Sequence, residues 1–234
     1  GVLAAVAATV PMLAAITQRV ELATGILILP QRQTVLVAKQ AAEIDLLSGG
    51  RLRLGVGTGW NYVEYDSLNE NFTNRGIRQE EQIELLRALW TEPVIDYEGD
   101  YHRVERAGLK PLPARQIPIW FGGFAPVAFR RAARIGDGFI YGSNHEQNLL
   151  AHASVLAELN QAQRPVEQFG FEALLNYQSG PENWRREIED WQAAGANYVA
   201  MRAMALGKGE GLGSPQAHID VLQEYWHVVG DLAD

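Results

Sequence analysis

Apolar residues along the chain form short continuous runs that alternate with longer segments of helical periodicity. The runs are bounded by Gly, Pro or Asn and are rich in β-branched and aromatic residues, which is typical of strands buried on both faces. They predict six strands, at residues 20–29, 51–57, 117–121, 138–142, 169–176 and 197–204. Because strands and helices alternate, the pattern indicates a parallel sheet covered by helices.

The intervening segments predict helices at residues 10–18, 34–47, 78–90, 126–135, 146–162, 182–194 and 215–229. Thr34 is a candidate N-cap of the second helix, which we expect to stop at Ser48, Gly49 and Gly50. Residues 60–75, rich in Asn and aromatic side chains, are predicted to form a loop. Alternation around residues 98–100 predicts a β-hairpin at 94–104.

A doubly wound sheet and a (β/α)8 barrel both fit this α/β pattern. A barrel usually takes about 250 residues, so six units in 234 residues leave it two units short. The chain opens on Gly1, and we expect that an N-terminal portion with the first two strands is absent from it. No linker composition or internal repeat divides the sequence. It predicts a single, N-terminally incomplete domain over residues 1–234, with a hairpin insertion at about 92–116.

Composition narrows the possible partners. The net charge of −8 argues against non-specific nucleic-acid binding, which needs a basic surface. The absence of Cys excludes disulfides and thiolate chemistry. The apolar residues 1–16 are too short for a membrane span and lack a signal-peptide start, so they predict a buried helix. A cytoplasmic protein that does not associate with membranes is therefore expected.

Glycines mark the carboxyl ends of the predicted strands, where a barrel places its active site. These ends are residues 24–26, 57–60, 122–125 and 142–145. Glycine there lets a flat ligand or a phosphate approach the backbone closely. Residues 55–59 do not match the dinucleotide fingerprint, because the third glycine comes one residue early. Residues 122–125 precede a helix and could bind an anion, although a simple turn explains them equally well.

Few other side chains point to a particular chemistry. The five histidines show no paired metal-ligand spacing, so no metal site is predicted. His145 follows a strand and could touch a ligand, but a histidine in such a position is more often just a polar loop residue. Trp60, Tyr62 and Tyr65 either wall an apolar substrate pocket or pack their loop against the adjacent hairpin.

Several segments together resemble the luciferase-like monooxygenase superfamily of flavin- and deazaflavin-dependent oxidoreductases. They are residues 22–30 (LATGILILP), 38–51 (AKQAAEIDLLSGGR), 54–60 (LGVGTGW), 85–91 (LLRALWT), 97–102 (YEGDYH), 118–123 (PIWFGG) and 131–139 (RAARIGDGF). Their order and spacing agree over residues 20–230. The resemblance implies a (β/α)8 barrel whose first two strands precede this chain, so that no catalytic residue can be assigned from them.

The resemblance also implies roles for the strand ends. Thr24, Gly25 and Ile26 correspond to the bulge behind the cofactor ring, often with a non-prolyl cis peptide in deazaflavin enzymes. Thr58 and Gly59 correspond to contacts with the ring edge or its ribityl chain. The cofactor phosphate would bind to the backbone of Gly122, Gly123, Phe124 and Ala125. Trp60 would face the substrate, in a pocket to which Tyr62 and His145 are further candidates.

The implied reaction is hydride transfer to or from a small organic substrate. Flavin-dependent members of the family that the chain resembles often have a basic residue near this strand end, to meet the phosphate. This chain has Thr58, Gly59 and Trp60 there, so the resemblance favours the deazaflavin coenzyme F-420 over flavin mononucleotide (FMN). An FMN-dependent monooxygenase remains an alternative, as does a non-catalytic barrel paralogue that binds a ligand or only a partner subunit. Relatives commonly dimerise, so a homodimer is expected.

Overall fold

The computed structural model describes residues 6–204 and 212–232. They fall into two compact units. The first unit comprises residues up to Gly123 together with Arg134–Asp137, and the second comprises Phe124–Ala133 and the residues from Gly138 onward. No helix within these two described ranges is long and apolar enough to cross a bilayer.

The first unit is built around one fully buried strand. Its elements are α1 (Val6–Ile16), β1 (Leu22–Ala23), β2 (Leu27–Ile28), α2 (Thr34–Ser48), β3 (Leu52–Gly57), α3 (Tyr62–Ser67), α4 (Arg75–Thr91), β4 (Ile95–Glu98), β5 (Arg103–Ala107) and β6 (Ile119–Gly122). Strand β3 pairs in parallel with β1 and β2 on one side and with β6 on the other. The predicted hairpin is present as the antiparallel pair of β4 and β5.

The second unit repeats the alternation of strand and helix. Its elements are α5 (Pro126–Ile135, ending in the first unit), β7 (Gly138–Tyr141), α6 (His145–Gln161), β8 (Gly170–Asn176), α7 (Pro181–Ala193), β9 (Tyr198–Arg202) and α8 (Pro215–Val229). Strand β8 pairs in parallel with β7 and with β9. Aromatic side chains fill its core: Tyr141 stacks on Trp191 with ring centroids 5.2 Å apart.

The predicted strand at 20–29 is interrupted. Strands β1 and β2 flank Thr24, Gly25 and Ile26, and the peptide bond between Gly25 and Ile26 is cis. Both short strands still pair with β3, so the interruption leaves the strand's place in the sheet unchanged. The bulge that the family resemblance implied therefore lies at the predicted residues.

Three local predictions were wrong. Gln33, not Thr34, is the N-cap residue of α2, because the Thr34 hydroxyl contacts the His102 ring nitrogen Nε2 at 2.7 Å instead. Residues 60–75 are not only loop, since α3 forms within them and Asn61 accepts a hydrogen bond from the Val63 N–H. Helix α1 is not the fully buried helix that was predicted, because Met12 and Ile16 on it are 56% and 71% exposed.

Candidate functional site

In the first unit, the carboxyl ends of β2, β3 and β6 share one edge of the sheet because the strands run parallel. Thr24 lies before this edge and is buried, with 4% of its surface exposed. Its hydroxyl donates a 2.7 Å hydrogen bond to the carbonyl oxygen of Gly55 on β3. The Thr24 side chain therefore anchors the interrupted strand to β3, and its hydroxyl is turned toward the sheet.

Gly57 lets two of the predicted cofactor-binding segments approach each other. A Cβ atom at Gly57 would lie 2.5 Å from Cδ1 of Ile26 and 3.1 Å from the carbonyl oxygen of Gly122. A side chain there would displace both neighbours, so the sequence needs glycine for packing. Ile26 and Gly122, which are distant in sequence, thus both lie close to Gly57.

Gly25 presents the opposite environment. Within the described part of the chain, a Cβ atom at Gly25 would meet no heavy atom within 4 Å beyond its immediate neighbours. The backbone of Gly25 therefore faces open space, while the adjacent Ile26 side chain packs against β3. A small ligand atom placed against the Gly25 backbone would therefore displace no described side chain.

Thr58 and Gly59 are held by the helix that follows them. The Tyr65 hydroxyl on α3 donates a 2.6 Å hydrogen bond to the carbonyl oxygen of Thr58. Gly59 adopts φ +65°, and a Cβ atom there would lie 3.0 Å from the Ile28 side chain. Tyr65 is fully buried, so it packs its own loop and does not wall a pocket. Burial raises the pKa of Tyr65 to about 12, which keeps its hydroxyl protonated as a donor.

Trp60 and Tyr62 remain available to a ligand. Trp60 is 83% exposed and Tyr62 is 61% exposed, on either side of the α3 cap residue Asn61. Two large aromatic rings left in solvent beside a strand end are typical of a surface that binds an apolar group. Their contact with a substrate stays a prediction.

In the second unit, Phe124 and Ala125 lead directly into α5. The carbonyl oxygen of Ala125 accepts the first helical hydrogen bond, from the Ala128 N–H at 2.8 Å. Pro126 has no N–H, so the backbone donors of this turn belong to Gly122–Ala125 and Val127. The Phe124 side chain is 72% exposed. Backbone donors at a helix start suit an anion such as a phosphate.

His145 is the first residue of α6 and is held against α7. Its Nε2 lies 2.9 Å from Oδ2 of Asp190, and its ring contacts Trp191 edge-on. The side chain is 17% exposed, so it reaches solvent only in part. A role for His145 toward substrate stays a prediction. Across residues 6–204 and 212–232, no group of three His, Asp or Glu side chains could hold a metal ion.

Sequence reasoning missed Arg202, the last residue of β9. Its guanidinium group donates to Oδ1 of Asn176 and to the carbonyl oxygen of Gly142. Burial lowers the pKa of Arg202. The available signal was a single charged residue within the apolar run 197–204, at the end of a strand where function collects in such folds.

Comparison with known families gives a match over most of the chain. The family model described as luciferase-like monooxygenase matches residues 4–173. An F-420-dependent glucose-6-phosphate dehydrogenase from Amycolatopsis mediterranei is 28% identical over 239 residues, covering 96% of this chain and 70% of that protein. The enzyme of the same description from Nocardia farcinica is 34% identical over 176 residues, covering 71% and 52%.

Other curated relatives carry no assigned function. An uncharacterized protein of Mycobacterium bovis is 38% identical over 137 residues, which are 58% of this chain and 47% of that protein. The chain thus spans about half the length of several curated relatives it matches.

Solved structures show the fold. A monooxygenase from Streptomyces bottropensis superposes with a TM-score of 0.81 at 18% identity, covering 97% of this chain and 83% of that one. The coenzyme F-420-dependent tetrahydromethanopterin reductase of Methanopyrus kandleri gives 0.73 at 18% identity, covering 93% and 86%. The likeness confirms the predicted α/β barrel class.

Proposed function

The chain belongs to the luciferase-like monooxygenase family, and from this membership we propose that it is an oxidoreductase that uses the deazaflavin coenzyme F-420. The coenzyme, when bound, supplies a ring carbon that accepts or donates a hydride. The proposed substrate is a small organic molecule, which is oxidised when it gives up a hydride to the coenzyme or reduced when it accepts one from it. The curated relatives described as F-420-dependent dehydrogenases support this choice of coenzyme.

The observation that carries the proposal is the open backbone at Gly25 beside the close approach at Gly57. Gly25 would lie against the ring face, with the Ile26 side chain held by β3 as its support. Thr58 and Gly59 would contact the ring edge, in a conformation that Tyr65 fixes. The Gly122–Ala125 backbone would bind the coenzyme phosphate. Each of these groups orients the ligand, which is the main contribution a protein makes to a hydride transfer.

The substrate would approach from the side of Trp60 and Tyr62. Both rings are exposed, so they can close over an apolar or sugar-like surface and exclude water from the reacting atoms. Under this proposal His145 is a further candidate for substrate contact, and its contact with Asp190 restricts the movement of its ring.

An FMN-dependent monooxygenase is the second candidate. It is supported by the similarity in fold to the monooxygenase from Streptomyces bottropensis. Both coenzymes carry a tricyclic ring and a ribityl phosphate, so the same strand ends would serve either.

Titration separates the candidates. Purified protein is titrated with F-420 and with FMN, and binding is followed by quenching of coenzyme fluorescence. We expect tighter binding of F-420. Tighter binding of FMN would replace the first candidate with the second, and binding of neither would favour a non-catalytic paralogue.

We also propose that the whole chain forms a single barrel domain.

We further propose that two copies of the chain form a homodimer. This dimer is supported by exposed apolar side chains on α1 and α2, among them Ile16 and Leu47, which are 71% and 77% exposed. Light scattering that gives the mass of one chain at micromolar concentration would contradict the dimer.

A further inference from the structure

Arg202 lies at the edge of the sheet where the strands of the second unit end. In the parallel pair of β8 and β9, Arg202 is in register with Asn176, and both are the last residues of their strands. Strand β7 ends at Tyr141, directly before Gly142. Three consecutive strand ends therefore place Arg202, Asn176 and Gly142 together.

Neutral groups hold the guanidinium in one orientation. Its Nε donates to Oδ1 of Asn176 at 3.1 Å, and its Nη2 donates to the same oxygen. Its Nη1 donates to the carbonyl oxygen of Gly142 at 3.0 Å. Asn176 is itself oriented, because its Nδ2 donates to the carbonyl oxygen of Ser143 at 3.3 Å. The side chain of Arg202 is thus fixed before any ligand arrives.

The positive charge has no counter-ion among the residues described. The hydrogen-bond partners of Arg202 there are an amide oxygen and a backbone carbonyl, not a carboxylate. Burial lowers the pKa of Arg202, and no charged group in the described part of the chain opposes this effect. A partly desolvated cation is costly unless an anion meets it. Described residues accept from three of the five N–H donors of Arg202, and the other two lie on the terminal nitrogens.

The Phe124 side chain lies near this group within the second unit. A Cβ atom built on Gly142 would lie 3.9 Å from the Phe124 ring atom Cζ and 4.0 Å from Nη1 of Arg202. Gly142 therefore leaves room between the aromatic ring and the guanidinium. Phe124 belongs to the segment that the proposed function assigns to the coenzyme.

We propose that Arg202 binds an oxyanion, a phosphate or carboxylate group, through its two remaining donors. Asn176 is the positioning residue that presents the guanidinium. The molecule that carries this oxyanion is inferred from the proposed function. It is either the substrate or the coenzyme. Arginine suits this ligand because its planar fork pairs with two oxygens at once.

The test measures binding of inorganic phosphate to the full chain by titration calorimetry. We expect Arg202→Gln to weaken phosphate binding at least tenfold, and Arg202→Lys to give an intermediate loss because it keeps the charge without the fork. Asn176→Asp keeps Arg202 but places a carboxylate next to its guanidinium group, where it competes with the phosphate. We expect this substitution to weaken phosphate binding as strongly as Arg202→Gln does. The matched control is Arg130→Gln, which removes a 60% exposed arginine of α5 and should leave the affinity unchanged. Unchanged affinity in folded Arg202→Gln and Asn176→Asp would overturn the proposal.

A second titration separates the sources. If saturating F-420 abolishes phosphate binding, and Arg202→Gln weakens F-420 but not its phosphate-free deazaflavin head, then the anion belongs to the coenzyme. If phosphate binds equally to the F-420 complex, the anion belongs to the substrate. If phosphate binding depends on Arg202 but neither F-420 nor FMN binds, the proposed function is rejected and this inference is kept. If a coenzyme binds but phosphate binding does not depend on Arg202, this inference is rejected and the proposed function is kept.

Discussion

The hydroxyl of Tyr65 donates a 2.6 Å hydrogen bond to the carbonyl oxygen of Thr58, seven residues earlier in the chain. Tyr65 lies on α3 and is fully buried, whereas Thr58 follows β3 at the strand edge proposed to bind the coenzyme. Tyr65, which has no solvent-exposed surface, thus fixes the backbone of Thr58, which is predicted to contact the ligand. Tyr65 is a positioning residue under this interpretation.

Tyr65→Phe should therefore weaken coenzyme binding as well as stability. The variant keeps the ring packing but leaves the Thr58 carbonyl without this donor, which costs about 1 kcal/mol of unfolding free energy. F-420 affinity should fall severalfold because the Thr58–Gly59 turn becomes less ordered. Urea unfolding and fluorescence titration measure the two effects. Tyr97→Phe, on the hairpin, is the control and should leave affinity unchanged. A stability loss without any loss of affinity would show that Tyr65 has a structural role alone.

Gly25→Ala should separate coenzyme binding from folding. A methyl group there meets no described atom within 4 Å, so the free energy of unfolding should change by no more than about 0.5 kcal/mol. The same methyl group would occupy the surface proposed for the ring, so F-420 affinity should fall at least tenfold. If Gly25→Ala binds F-420 as tightly as the wild type does, the proposed placement of the coenzyme ring against Gly25 is contradicted.

Gly57→Ala should give the opposite result and is the matched comparison for Gly25→Ala. Its methyl group would lie 2.5 Å from Ile26 and 3.1 Å from the Gly122 carbonyl. Relieving this overlap should cost about 1–3 kcal/mol of unfolding free energy. Thermal or urea unfolding measures the loss, and a fully stable Gly57→Ala protein would show that the strand ends are less closely packed than the structure indicates.

Trp60→Ala should change substrate use with little effect on stability. The indole is 83% exposed, so its removal should change the unfolding free energy by no more than about 0.5 kcal/mol. If Trp60 faces the substrate, kcat/KM should fall at least tenfold while F-420 affinity is kept. Trp226→Ala on α8 removes another exposed indole, 62% accessible, and should leave kcat/KM unchanged. Equal effects of the two substitutions would argue against a pocket at Trp60.

The sequence predicted the order of strands and helices well because buried parallel strands produce continuous apolar runs bounded by turn residues. Gly49 ends α2 in the left-handed conformation, φ +71°, as its position after the apolar run indicated. Local patterns failed where a distant residue decides the outcome. His102 draws the Thr34 hydroxyl away from capping. Tyr65 is buried and packs edge-on against Phe72, within the segment 60–75 that the sequence pattern predicted as loop.

The candidate site was predictable only in part for the same reason. Glycines at strand ends led to the prediction that Gly25, Thr58 and Gly122 contact a ligand, because close backbone approach needs the absence of a Cβ atom. That contact stays a prediction. The sequence does not distinguish Gly25, which faces open space, from Gly57, which is closely packed, because both are glycines near the end of a predicted strand. Arg202 gave only a weak signal, since its importance comes from the register of β9 with β8.

Stability should decrease in mild acid because of His152. This buried residue contacts the Tyr141 hydroxyl through Nδ1 at 3.0 Å and the Ala194 carbonyl oxygen through Nε2 at 3.0 Å. A neutral ring satisfies both contacts, by accepting from Tyr141 and donating to Ala194. Burial lowers the pKa of His152 below its ordinary 6.5.

Between the lowered folded pKa and about 6.5, the unfolded chain binds more protons at this position than the folded protein. The contribution of His152 is therefore fully present above about pH 6.5, and it is lost progressively as the pH falls toward the folded pKa. His152→Gln should unfold more easily at every pH, yet with a flatter dependence on pH between about 5 and 7. Urea unfolding followed by tryptophan fluorescence measures the slope, with His227→Gln on the exposed face of α8 as control. Parallel pH profiles for wild type and His152→Gln would show that His152 is not the group responsible.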